Sequence, residues 1–192
     1  MSLPREHSLT EVDMTHHNLI RQYNNVIPNA ACDWLISAFE GTDELIERRN
    51  GPQNFDEMNL NKTFPTIVGA YVRFLQNGLR RYRADFPLET PYFPEIALEE
   101  FRVKRYTGET GQQFADHVDV GSLSSAKRYL SFLFYLNDDF EGGETIFYPD
   151  TKITPTKGSV VVFPPMWMYP HAGLPVKTGT KYIMSSYLNY AA

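Results

Sequence analysis

Residues 129–147 read YLSFLFYLNDDFEGGETIF. The run 129–136 is apolar on both of its alternating faces, so as a strand it needs cover on both sides. Asn137-Asp138 closes it, and Glu141-Gly142-Gly143 marks a second turn before another short apolar stretch over 144–148. Such a sequence suits the central strand of a barrel, with the interior on one side and helices on the other.

Outward from this stretch the period of two persists from about Ala97 to the end. It predicts strands at 97–106, 113–117, 129–136, 144–148, 159–163, 169–172 and 181–188. Thr107-Gly108, Lys157-Gly158 and Thr178-Gly179 supply the remaining turns. Upstream the period is helical. Asn29 is placed to cap a helix over 30–39 with Trp34, Leu35 and Phe39 on one face. A longer helix runs from Thr63-Phe64-Pro65 to about Phe86, striped by Val68, Tyr71, Val72, Leu75 and Leu79. The segment 48–62 is rich in Asn and Gly and reads as a loop, and 1–17 as a loose polar end. Many short strands after two helices indicate a mainly β, α+β chain of 192 residues in a single domain. Its parts are the end at 1–17, helical support over 18–95, and a jelly-roll or cupin-like barrel over 96–192.

Composition narrows the function. A content of 42% hydrophobic and 14% aromatic residues belongs to a globular chain, and a net charge of −5 argues against nucleic acid as partner. The single cysteine, Cys32, excludes an intrachain disulfide and fits a reducing, cytoplasmic setting. The N-terminal stretch lacks the apolar core of a signal peptide, and no apolar run is long enough for a membrane helix. His16 and His17 lack acidic or Cys partners at ligand spacing and read as solvated.

His117 and Asp119 lie two apart, so on a strand both side chains leave the same face and can grip one ion. A second strand-borne imidazole follows at His171, between Pro170 and the small residues Ala172-Gly173. Two imidazoles and one carboxylate are the ligand set of non-haem Fe(II) oxygenases, which leaves coordination positions open. Lys181 comes ten residues after His171. If it points inward, Ile183, Ser185 and Tyr187 share its face, and its buried ammonium requires a carboxylate such as the far end of a keto-diacid. Tyr106, Tyr135 and Thr145 are the hydroxyls available to help it. Arg102 and Lys104 share a face with Tyr106 and form either a solvated edge or a basic lip beside the substrate. Trp167 and Tyr187 offer an aromatic mouth. A zinc hydrolase would use similar ligands but has no need of Lys181, and a non-catalytic cupin-like module would be expected to lack a ligand.

Tyr106…Gly111…His117-Val118-Asp119, FLFYLNDDFEGGETIFYPD, GSVVVFPP and HAGLPVKTGTK over 171–181 together resemble the prolyl 4-hydroxylase branch of the Fe(II)/2-oxoglutarate dioxygenases, over roughly residues 98–190. The resemblance implies a double-stranded β-helix core. It implies Fe(II) on His117, Asp119 and His171, with Lys181, assisted by Tyr106 and Thr145, on the 2-oxoglutarate C5 carboxylate. Tyr135 looks like the strand tyrosine that does this in hypoxia-sensing relatives, which carry Arg where this chain has Lys181. Arg128 aligns with their substrate-side arginine, and Tyr187 stands where many relatives have Trp. The implied reaction consumes O2 and 2-oxoglutarate, releases succinate and CO2, and uses ascorbate as reductant. A peptidyl proline in a peptide or protein partner is the expected substrate, with a lysyl residue, a free amino acid or a small metabolite as alternatives. An oxidative nucleobase demethylase is disfavoured, because KYIMSSY over 181–187 lacks that group's Arg pair.

Overall fold

The computed structural model describes residues 19–42, 46–86 and 96–191, so the stretch 1–17 with His16 and His17 lies outside the described residues. The N-terminal part holds β1 (Arg21–Tyr23), α1 (Asn29–Glu40), β2 (Ile46–Arg49), β3 (Gln53–Asn59), α2 (Leu60–Thr63) and α3 (Val68–Asp85). The strands β4 (Ile96–Leu98), β5 (Arg102–Thr107), β6 (Gln113–His117), β7 (Arg128–Tyr135) and β8 (Glu141–Gly142) follow. The chain then forms β9 (Thr145–Phe147), β10 (Thr151–Ile153), β11 (Val160–Phe163), β12 (His171–Gly173), β13 (Val176–Thr178) and β14 (Thr180–Tyr190).

Antiparallel pairing in the order β1-β11-β7-β14-β5-β3-β6-β12-β9-β10 curls the sheet into a nearly closed barrel. One wall, around β7, β14 and β5, carries the helices on its outside. Phe132 and Phe134 of β7 turn outward into one core with Leu35 and Phe39 of α1 and Leu75 and Leu79 of α3. Tyr135 turns inward with Phe147, Val161, Phe163 and Ile183, and Leu133 packs against that inner cluster. The two-sided apolar character of 129–136 thus has the cause assigned to it. Each fully buried side chain of this kind contributes roughly 1.5–3 kcal/mol of apolar burial.

Three local expectations are corrected. Asn29 does not cap α1: Pro28 occupies the N-cap position and no side chain bonds there. The strand expected at 97–106 is two, β4 and β5, interrupted at residues 99–101. The segment 48–62 is mostly not loop, because residues 46–59 form the β2–β3 hairpin and Leu60 opens α2. Gly51, at φ 102°, makes the turn. Opposed charges also hold the hairpin, with Arg48 donating to Asp56 at 2.7 Å and Arg49 to Glu57 at 3.0 Å. Phe55 and Met58 bury their side chains on opposite cores, which decides the segment for the sheet. The helical support therefore also contributes β3, which joins the two walls by pairing with β5 and β6.

Candidate active site

His117 at the end of β6 pairs directly opposite His171 at the start of β12, so strand register alone brings the two imidazoles together. Their ring centroids are 4.2 Å apart. The chain runs two residues further to Asp119, and one ligand atom from each of the three falls within 4.8 Å of the others. His117 Nε2 is 3.4 Å from Asp119 Oδ1 and His171 Nε2 is 3.9 Å from Oδ2. Both Nδ1 atoms face carbonyls, of Ala115 at 2.8 Å and Tyr169 at 3.0 Å. If each Nδ1 carries the proton and donates it, both Nε2 lone pairs are free and directed at the carboxylate, the tautomer that suits metal ligation. Asp119 Oδ2 is buried with no hydrogen-bond partner, while Oδ1 accepts from the Tyr187 hydroxyl at 3.0 Å. An orphaned carboxylate oxygen facing two imidazole lone pairs is costly without a cation. This donor set fits a divalent ion.

The electrostatics agree. Burial favours the neutral acid at Asp119, yet the facing histidines and the charge of Lys104 outweigh it and hold the carboxyl at about 2. Burial lowers His171 against the opposing pull of Asp119, which favours the neutral, ligating form. Phe114 stacks on His117 at 3.9 Å between centroids, and Phe147 and Phe163 flank His171 at 5.1 and 4.9 Å. Aromatic packing on both imidazoles restricts their rotation.

The same residues line a pocket that Lys181 also lines. As expected from period two, Ile183, Ser185 and Tyr187 line it with Lys181. The ammonium is 2% exposed and donates to the Gly143 carbonyl at 2.5 Å. Its other neighbours are rings, Tyr106 at 5.5 Å and Tyr135 at 5.6 Å from Nζ to centroid. Burial brings its pKa down to about 7 against the opposing pull of Glu144. Tyr106 and Thr145 line the pocket, and Tyr135 stands behind, its hydroxyl donating to Thr145 Oγ1 at 2.7 Å. Burial pushes both phenols far above their ordinary range, so they remain hydrogen-bond donors.

The substrate-side expectations divide. Lys104 lines both this pocket and the groove outside it, and Arg102, Arg128 and Tyr187 line the groove. Arg128 is already engaged. It forks onto Glu99 with two bonds of 2.8 Å, donates to the Asp119 carbonyl at 3.1 Å and lies 3.8 Å over the Tyr187 ring. Trp167 is not brought to the pocket; it is 77% exposed on the connection between β11 and β12.

Residues 101–189 match the family model described as the 2OG-Fe(II) oxygenase superfamily. The barrel has the double-stranded β-helix fold of the solved structures it superposes on. Among curated relatives, "Probable prolyl 4-hydroxylase 11" of Arabidopsis thaliana is 27% identical over 150 residues, 78% of this chain and 51% of the relative. The chain thus spans about half the length of that relative. Among solved structures, the 2OG complex of the viral collagen prolyl hydroxylase of Paramecium Bursaria Chlorella virus-1 superposes with a TM-score of 0.68 at 23% identity, covering 92% of this chain and 98% of that one. A prolyl hydroxylase from Trichoplax adhaerens, in complex with a hypoxia inducible factor oxygen degradation domain peptide fragment, gives 0.69 at 15%, covering 92% and 86%.

Within this barrel, the sequence pattern does not disclose the contribution of β3. Phe55 and Glu57 line the groove beside Arg102 and Lys104. Phe55 and Met58 are three residues apart and face opposite cores, so no apolar alternation marks the strand. Glu99, which orients Arg128, lies in the break between β4 and β5, where no periodicity marks it.

Proposed function

We propose that the protein is a 2-oxoglutarate-dependent non-haem iron dioxygenase that hydroxylates a prolyl residue at C4, releasing succinate and CO2. One observation carries this reading. A three-ligand cluster, with Asp119 Oδ2 unpartnered, lines the same pocket as a buried ammonium that no carboxylate of this chain contacts among the described residues. His117, Asp119 and His171 would hold Fe(II), and Lys181 with Tyr106 and Thr145 would take the C5 carboxylate of 2-oxoglutarate. When bound, the ion and keto acid supply oxygen activation, two of the electrons for O2 coming from the keto acid and two from the substrate C–H bond. Tyr187 orients Asp119 through its hydroxyl, and Arg128 fixes both the Tyr187 ring and the Asp119 main chain. The aromatic lining around the histidines excludes water.

The prolyl assignment draws support from relatives named as prolyl hydroxylases, one of them solved with a peptide. Ascorbate would serve as reductant, and the reading sets the protein in the cytoplasm. Among the described residues no helix is long and apolar enough to cross a membrane. The test is oxygen-dependent succinate release over a panel of proline-containing and other peptides and amino acids, with mass spectrometry of products. A +16 shift on proline, abolished in His171→Ala, is expected. The same shift on another residue discards proline, and succinate release unchanged in His171→Ala discards the metal centre.

A further inference from the structure

Lys104 is the charged group that this function leaves unexplained. It sits on β5 between Arg102 and Tyr106, opposite Ile183 of β14 and Glu57 of β3. Its side chain enters the barrel at the junction of the inner pocket and the outer groove, with His117 and Asp119 lining both. It is 8% exposed, and among the described residues it makes no hydrogen bond or ion pair. Two rings flank its ammonium, Phe55 at 5.2 Å and Phe114 at 5.1 Å, while Glu57 and Asp119 act on it from beyond ion-pair distance. Burial, only partly offset by Glu57 and Asp119, lowers its pKa. An ammonium held this way is costly to the fold and belongs to a site that supplies it an anion.

The resident groups do not supply that anion. At the mouth, Arg49 pairs with Glu57 at 3.0 Å and with the exposed Glu47 at 2.9 Å, Arg102 with Glu100 at 2.7 Å and with Glu57 at 3.9 Å, and Arg128 with Glu99 at 2.8 Å, so these carboxylates are turned to arginines. Under the proposed function, a ferrous ion is neutralised by Asp119 and the inner carboxylate of 2-oxoglutarate, and Lys181 by the outer one. Lys104 is left with no carboxylate within ion-pair distance among the described residues. The missing charge must come with the substrate. Because Lys104 shares its chamber with the ligand cluster, that charge must lie a few bonds from the oxidised carbon.

We propose that Lys104 anchors the α-carboxylate of the residue being hydroxylated, so that the substrate is a proline with a free carboxylate, either the amino acid itself or the C-terminal residue of a peptide. This rests on the prolyl oxygenase reading and narrows it. Phe55 and Phe114, which flank the ammonium, offer apolar surface for the ring of such a residue.

Binding to the Mn(II)- and 2-oxoglutarate-loaded protein under nitrogen tests this without turnover. The probes are acetyl-Gly-Pro with a free carboxylate, the same dipeptide as its amide, and free L-proline, followed by calorimetry. The acid should bind about ten- to a hundredfold more tightly than the amide, the range of one charged hydrogen bond. Lys104→Met should erase that difference, Lys104→Arg should retain part of it, and both should bind 2-oxoglutarate as the parent does. Binding of the acid dipeptide alone assigns a chain terminus, and comparable binding of L-proline assigns the free amino acid. Equal affinity for acid and amide, or a preference that survives Lys104→Met, overturns the anchor. Weakened 2-oxoglutarate binding in Lys104→Met also overturns it, by giving the cation to the co-substrate. If no proline compound binds, the prolyl reading fails, and the same acid–amide comparison on acetylated lysine and leucine judges Lys104; no acid preference in either pair overturns the anchor. Thermal melting of Lys104→Met checks folding, and removal of an unpaired buried charge should raise the midpoint.

Discussion

Replacing Lys181 by Met separates the two costs that a buried ammonium carries. Methionine keeps most of the volume, so the change removes a charge from a position that is 2% exposed and opens little cavity. Under the proposed function the C5 carboxylate of 2-oxoglutarate would then lack its cation, a broken buried pair costing about 3–5 kcal/mol. At about 1.4 kcal/mol per tenfold, affinity for 2-oxoglutarate should fall on the order of a hundred- to several thousandfold. Calorimetry on the Mn(II)-loaded protein without oxygen measures this directly. Stability of the ligand-free protein should move the other way. The folded pKa of Lys181, about 7, lies below its ordinary value of 10.5, so between these values the unfolded chain binds more protons. The penalty is therefore fully present below about pH 7 and fades as pH rises toward 10.5, worth at most about 5 kcal/mol at 1.36 kcal/mol per unit. Denaturant titrations from pH 7 to 10 should show parent stability climbing relative to Lys181→Met. An affinity within threefold of the parent would refute the pocket assignment, and parallel pH profiles would refute the buried charge.

Tyr187→Phe removes the hydroxyl donated to Asp119 Oδ1, and loss of such a supporting bond should weaken metal binding about tenfold to a hundredfold, read by competition with a chelating dye. Gly143→Ala should destabilise the protein by about 1–3 kcal/mol in thermal or denaturant melts and weaken 2-oxoglutarate binding with it. Gly143 holds φ at 65°, and an added Cβ would lie 3.0 Å from Val176 Cγ2 and 3.2 Å from the Lys181 side chain.

Much of the site was legible because period-two alternation translates directly into facing. His117 and Asp119, or Lys181 through Tyr187, share a face in any extended strand, and the structure puts both sets around one pocket. What alternation could not reveal was pairing. Nothing along the chain announces that His171 stands opposite His117, because register between distant strands depends on the turns and cores that join them. The β2–β3 hairpin was missed for a different reason. Most of its residues are polar, charged or Gly, and the cross-strand pairs that stabilise them, Arg48 with Asp56 and Arg49 with Glu57, exist only after folding. Arg128 was legible as a polar residue of the mouth, but its bidentate hold on Glu99 makes it a support for Asp119 and Tyr187.

The barrel distributes its charges unevenly, and the difference follows from where each residue is rooted. Arg49, Arg102 and Arg128, at the mouth, each pair with a carboxylate of this chain within 3.0 Å and are satisfied before anything binds. Lys104 and Lys181 project inward from β5 and β14, which pair with each other and hold them in the wall, and neither meets a carboxylate of this chain among the described residues. Asp119 Oδ2, at the same pocket, lacks a hydrogen-bond partner. Each of these groups makes the empty protein less stable than an apolar lining would. Each becomes favourable when a group of opposite charge arrives, so under the proposed function the binding of metal, co-substrate and anionic substrate should be linked to folding through the logarithm of one plus ligand concentration over its dissociation constant. An apolar lining would have given a more stable barrel with no means of selecting the three occupants proposed for it.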